Sequence, residues 1–168
     1  GQTPVYYSRS YISKNRNYLL MDSQPLYPFG FGLSYTTFAY SDLQASFQGE
    51  ELVVSFTVTN TGQREGREVP QLYVTDVVAS RVRPSLELKG FRSILLAPGE
   101  TKTLTFQVPV ELLSFLSVDG QWIVEPGEFR VAVGRSSQDL PLETVITLTG
   151  DVRVYPKRET FFSTSTVS

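Results

Sequence analysis

The chain has no cysteine and no histidine. That pair of absences removes thiolate nucleophiles, structural disulfides, imidazole metal sites and every Ser-His or Cys-His catalytic arrangement. Charge of one sign is also missing, because 15 Lys and Arg stand against 17 Asp and Glu for a net charge of −2. Such a balance supplies neither a field that steers nucleic acid nor a polybasic surface for anionic lipid, so nucleic-acid and membrane partners are excluded at this level. No apolar run reaches the roughly 18 residues of a membrane span. The opening Gly1-Gln-Thr-Pro-Val-Tyr-Tyr7 has no charged head followed by an apolar stretch. Any export signal is therefore expected upstream of it. What is present is core material: 40% of the 168 residues are hydrophobic, with 11 Phe, 9 Tyr and one Trp. This suits one packed domain with extensions rather than a disordered tail.

From Thr37 onward the apolar residues recur with period two. In Leu52-Val-Val-Ser-Phe-Thr-Val58, Leu52, Val54, Phe56 and Val58 share one face, the pattern of a half-buried strand. Asn60-Thr-Gly62 supplies turn residues, and Val69–Val78 resumes an extended pattern with Leu72 and Val74 together. A further extended stretch, Leu86–Leu96, runs into Ala97-Pro-Gly-Glu100, where Pro and Gly fit the central positions of a type II turn. Thr101–Val108, Phe129–Val133 and Val145–Leu148 give further strands, and Glu111–Leu116 is the one short segment with helical character. About six to eight short strands without a long amphipathic helix predict an all-β fold, an antiparallel β-sandwich. The last stretch, 151–168, decays into Thr and Ser, so it reads as a C-terminal extension with fraying ends.

The first 36 residues differ. They are rich in Tyr, Ser, Pro and Gly and lack sustained periodicity, as a connector would. Pro25 and Pro28 hold the backbone extended, while Gly30 and Gly32 allow a close turn against another surface. A strap of this kind would bury Leu26, Tyr27, Phe29, Phe31, Leu33 and Tyr35 between two bodies, a domain interface. The alternative is an ordinary N-terminal arm lying on the sandwich's own core.

Several segments, in order, resemble the C-terminal region of glycoside hydrolase family 3, the β-glucosidases and β-xylosidases. Gly1-Gln-Thr-Pro-Val-Tyr-Tyr7 is similar to the last strand of that family's α/β sandwich domain, and Pro25-Leu-Tyr-Pro-Phe-Gly-Phe-Gly-Leu-Ser-Tyr-Thr36 to the linker after it. Val58-Thr-Asn-Thr-Gly62, Gln71-Leu-Tyr-Val74, Glu87-Leu-Lys-Gly-Phe91, Leu96-Ala-Pro-Gly-Glu100 and Glu125-Pro-Gly-Glu-Phe129 follow the order of its accessory domain. Each token alone is ordinary turn or strand chemistry; their joint order is specific. The resemblance implies an immunoglobulin or fibronectin III-like sandwich over 37–150, preceded over 1–36 by the final strand and linker of an upstream α/β sandwich domain. It also implies a parent enzyme that retains configuration and uses neither metal nor organic cofactor. Its partners would be the upstream catalytic domains and, through the intact enzyme, a β-linked oligosaccharide. Periplasmic or secreted location is favoured over cytoplasmic, and a homo-oligomer stays open.

Retaining hydrolysis needs two carboxyl groups about 5 to 5.5 Å apart. In the family these lie upstream of the segment matching Gly1, so the chain is expected to have no catalytic residue and to stabilise the catalytic domains. Asp76, Glu87, Glu100, Asp119, Glu125 and Glu128 sit mostly beside turns, where solvated or capping roles are expected. Glu87 and Lys89 share a strand face. With Arg64, Arg67, Arg81, Arg83 and Arg92 they suit solvated surface charge or salt bridges to a neighbour. The resemblance implies that the loop carrying Tyr7, Arg9, Tyr11 and Arg16 lines an outer sugar subsite near the substrate entrance, with simple packing as the plainer reading. Trp122 is expected in the core, and Tyr73 to face outward between Leu72 and Val74. Two rival functions remain at this stage: an independent carbohydrate-binding module and an extracellular interaction domain.

Overall fold

The computed structural model describes residues 7–8 and 25–168. Among the described residues thirteen strands follow in order: β1 (Phe38–Gln48), β2 (Glu51–Asn60), β3 (Gly66–Glu68), β4 (Gln71–Asp76), β5 (Glu87–Phe91), β6 (Ile94–Leu96), β7 (Thr101–Pro109), β8 (Phe115–Leu116), β9 (Trp122–Val124), β10 (Gly127–Gly134), β11 (Leu142–Leu148), β12 (Arg153–Tyr155) and β13 (Thr164–Val167). They form two four-stranded sheets, β1-β2-β7-β13 and β11-β10-β4-β5, with a small β12-β9-β8 sheet and a β3-β6 pair. All the pairings are antiparallel. This is the sandwich that the period-two pattern predicts.

Alternation decides what fills it. Leu52, Val54, Phe56 and Val58 of β2 and Leu104, Phe106 and Val108 of β7 turn inward from one sheet. They meet Leu72, Val74, Phe129, Val131 and Val133 from the other. The Phe56 and Phe106 rings stack with centroids 6.0 Å apart. Each such side chain contributes about 1.5–3 kcal/mol on leaving water, so this inner layer dominates stability. The Ala97–Glu100 turn closes as expected, with the Glu100 N–H on the Ala97 carbonyl at 3.0 Å and Gly99 at φ 75°, the sign a type II turn demands.

Four expectations are corrected. Leu86–Leu96 is not one strand: β5 joins a main sheet while β6 pairs with β3, so the chain changes sheets at Arg92-Ser93. The helical character expected over Glu111–Leu116 holds only for the 3₁₀ turn Val110–Leu113, and Phe115–Leu116 is β8 instead. The C-terminus does not fray: β13 extends a sheet beyond β7, and Thr103 and Ser168 exchange backbone hydrogen bonds at 2.8 and 2.9 Å. Thr, Ser and Val are good residues for such an edge, where one face is solvated. Tyr73 is fully buried, because β4 is covered on both faces. At the opposite edge, β1 carries a bulge at Asp42 (φ 57°), whose carboxylate accepts the Ser41 and Thr57 hydroxyls at 2.7 and 2.6 Å. Bulges of this kind discourage edge-to-edge pairing.

Candidate functional site: a pinned strap with an outward apolar face

The strap's backbone is fixed to the sandwich. Phe31 N–H reaches back to the Pro28 carbonyl at 3.0 Å, and Gly30 in the turn has φ 81°. Two carbonyls at the turn then bind the sheet: Phe29 accepts Ser137 N–H at 2.9 Å, and Gly30 accepts Gln71 Nε2 at 3.0 Å. Gln71 is nearly buried. Its amide also donates to the Arg135 carbonyl at 2.6 Å, and its Oε1 accepts the Tyr73 hydroxyl at 2.6 Å. Burial pushes the Tyr73 phenol well above its ordinary pKa, so it stays a donor. A Cβ on Gly30 would lie 2.0 Å from Gln71 Oε1, which makes glycine a requirement of this contact as well as of the turn.

Farther along, the Thr36 hydroxyl donates to Asn60 Oδ1 at 2.7 Å, and Thr61 N–H meets the Thr37 carbonyl at 2.9 Å. Asn60 is fully buried. It also accepts Gly62 N–H at 3.1 Å and donates to the Arg64 and Leu96 carbonyls at 2.7 and 2.9 Å. One amide thus ties the strap's end, the β2–β3 turn and β6 together.

The strap's side chains behave differently from its backbone. Leu26, Leu33 and Tyr35 are 86%, 91% and 93% exposed, and Tyr27, Phe29 and Phe31 are also exposed. Val69 and Phe91 continue the exposed apolar surface. A groove of about 380 Å³ runs between Phe29, Phe31, Val69, Leu88 and Phe91. A pinned backbone that turns large apolar groups to solvent, beside an apolar groove, is what an interaction surface presents.

Of the four residues read as an outer subsite, Tyr7 is placed against this strap, while Arg9, Tyr11 and Arg16 lie outside the described residues. Tyr7 stacks on Phe29 with centroids 4.2 Å apart and meets Tyr73 edge-on at 6.0 Å. Trp122 is half-buried, not in the core: it flanks the Arg158 guanidinium, which lies 5.7 Å from its ring.

The charged cluster is also corrected. Arg64, Arg67, Arg81 and Arg92 are exposed, but Arg83 and Lys89 turn inward and pair within the chain. Arg83 reaches Glu87 at 2.9 Å and Asp76 at 3.9 Å and lies over Phe115, and Lys89 reaches Glu87 at 3.5 Å. Arg83 and Lys89 also donate to the Leu113 and Leu112 carbonyls, capping the 3₁₀ turn. Burial, only partly offset by Arg83, raises the Asp76 carboxyl to about 6. Burial lowers the Lys89 ammonium below its ordinary value, with Glu87 opposing that shift. The cluster is occupied with holding the fold. Among the described residues no three acidic side chains gather as a metal cage would require.

Sequence reasoning reads Asn60, Gln71 and Tyr73 as turn or strand residues and not as the strap's seat, and it does not name Ser137. The unbroken run Leu72-Tyr-Val74, apolar or aromatic at consecutive positions, is the visible signal of a strand covered on both faces.

Residues 68–137 match the model of the fibronectin type III-like domain. The chain carries that domain. Over 143 residues it is 44% identical to a putative β-xylosidase of Formosa agariphila, covering 83% of this chain and 19% of the relative. Over 151 residues it is 44% identical to a periplasmic β-glucosidase of Salmonella typhimurium, covering 82% and 20%. Among solved structures, β-glucosidase 3B of Thermotoga neapolitana in complex with α-D-glucose superimposes with a TM-score of 0.75 at 42% identity, covering 80% of this chain and 19% of that one. The chain thus matches the C-terminal region of glycoside hydrolase family 3 β-glucosidases and β-xylosidases and spans about one-fifth of their length.

Proposed function

We propose that this fibronectin type III-like domain is the non-catalytic accessory domain of a retaining β-glucosidase or β-xylosidase, and that it stabilises the catalytic domains by docking through the strap. The observation that carries the reading is the split behaviour of residues 26–35, with backbone hydrogen-bonded to the sandwich and large side chains facing solvent. Burying those side chains against a second body would contribute on the order of 1.5–3 kcal/mol each. Similarity to β-glucosidases and a β-xylosidase about five times longer than the matched region supports a covalently joined partner of that kind. The chemistry would belong to that partner, with substrate a terminal β-linked glucose or xylose.

The test is hydrolysis of aryl β-glucoside and aryl β-xyloside by the chain alone, and by the chain mixed with a family 3 catalytic body lacking its C-terminal region. Activity should be absent in the chain alone and restored or stabilised on mixing. Turnover by the chain alone would refute the accessory role. No effect on the catalytic body would favour an independent carbohydrate-binding or interaction module.

A further inference from the structure

The strap is not the only point at which the N-terminal segment touches the sandwich. Tyr7 and Phe29 stand 22 residues apart in the sequence, yet their rings stack at 4.2 Å with 13° between planes. The Tyr73 ring, itself fixed by its bond to Gln71, meets Tyr7 at 6.0 Å with 72° between planes. The Tyr7 hydroxyl makes a separate contact, accepting the Leu88 N–H at 3.4 Å. Among the described residues β5 is the last strand of its sheet, and its outward backbone groups have no strand partner there. The next residue, Lys89, gives its carbonyl to the Ser163 hydroxyl at 2.8 Å. Side chains from the two ends of the chain therefore occupy consecutive positions on that strand.

We propose that Tyr7 is a positioning residue, a clasp that holds the chain ahead of the strap to the sandwich and covers the open edge of β5. Through it position 7 is held to the sandwich by the chain's own Phe29, Tyr73 and Leu88. Two distinct forces act: the offset aromatic contact, which needs only a ring at position 7, and the edge hydrogen bond, which needs the hydroxyl. The consequence in an enzyme rests on the docking reading above: the accessory domain itself would hold Tyr7 beside the strap. The clasp itself is a property of this chain.

Because the chain has no cysteine, introduced pairs take spin labels cleanly. Labels at Ser8→Cys and Gln63→Cys report the distance between the clasped segment and the β2–β3 turn. The wild-type background should give one narrow distance distribution, and Tyr7→Ala a broad one with the thermal unfolding midpoint of the core unchanged. Tyr7→Phe should keep the narrow distance while Leu88 N–H exchanges at least tenfold faster. A broad wild-type distribution, or a narrow one in Tyr7→Ala, overturns the clasp; unchanged Leu88 exchange in Tyr7→Phe overturns the role of the hydroxyl. Failure of the wild-type chain to bind a catalytic body would refute docking and leave these distances as they are, so the two ideas fail separately.

Discussion

Asn60 gives the sharpest test of how the sandwich and strap are joined. Its side chain makes four hydrogen bonds from a fully buried position: two donated to the Arg64 and Leu96 carbonyls and two accepted from Gly62 N–H and the Thr36 hydroxyl. Asn60→Ala removes all four. At about 1 kcal/mol for each net bond, and with the part-exposed Thr36 hydroxyl free to find water, the expected loss is about 3 kcal/mol. For a domain of this size that lowers the unfolding midpoint by roughly 6–12 °C. Asn60→Asp refines the reasoning. The introduced carboxyl still accepts from Gly62 and Thr36, but its second oxygen faces two carbonyls, so only its protonated form suits the site. Its folded pKa would exceed the unfolded value of about 3.9, and the folded state would bind the proton more tightly. The variant should approach wild-type stability below about pH 4 and lose stability as pH rises through the folded pKa. Urea unfolding of both variants from about pH 3.5 to 8 measures this. A loss under about 1 kcal/mol in Asn60→Ala, or a pH-independent Asn60→Asp, would refute the account of this joint.

Two further outcomes follow from the site. Gly30→Ala places a methyl group where Gln71 Oε1 stands and forces a side chain onto a φ of 81°. It should cost about 1–2 kcal/mol and release Ser137 N–H from Phe29, read as at least tenfold faster exchange of that amide. Asp76→Asn should stabilise the fold at pH 7 by on the order of 1 kcal/mol, after allowance for solvent screening. The wild-type carboxyl is raised to about 6, so its contribution is fully present below the unfolded value near 4 and is lost as pH rises through 6. Chemical unfolding at pH 4.5 and 7 should show the variant flattening that slope; lower stability at pH 7 would contradict it.

The inner layer is legible because burial on one face of a strand is a local pattern. Leu52 to Val58 and Leu104 to Val108 alternate in sequence, and their inward members are all essentially buried. The apolar strap is legible too, from two prolines and two glycines among aromatics, and its exposed side chains are a feature of the structure. What sequence reasoning misses is everything decided by long-range cover. Alternation along β4 sends Tyr73 outward, but Tyr7 and the Gln71 network close over its second face. Arg83 and Lys89 read as surface charge because their partners Asp76, Leu112 and Leu113 come from other strands and turns. The tail reads as fraying because its Thr and Ser match no core pattern, yet an edge strand on β7 needs only one apolar side chain, and Val167 supplies it. Gln71 and Asn60 carry no periodicity; their importance arises only when distant groups converge on one amide.

The central claim is that the strap's outward face binds a catalytic body, and titration calorimetry tests it most directly. The chain would be titrated into a family 3 catalytic body lacking its C-terminal region, beside Leu33→Asp/Tyr35→Asp, which changes only highly exposed side chains. The account predicts saturable binding by the wild type, a negative heat-capacity change, and affinity at least roughly 100-fold weaker in the double variant with its own unfolding midpoint unchanged. Equal binding by both proteins would place the docking surface elsewhere, and no binding by the wild type would contradict the accessory role.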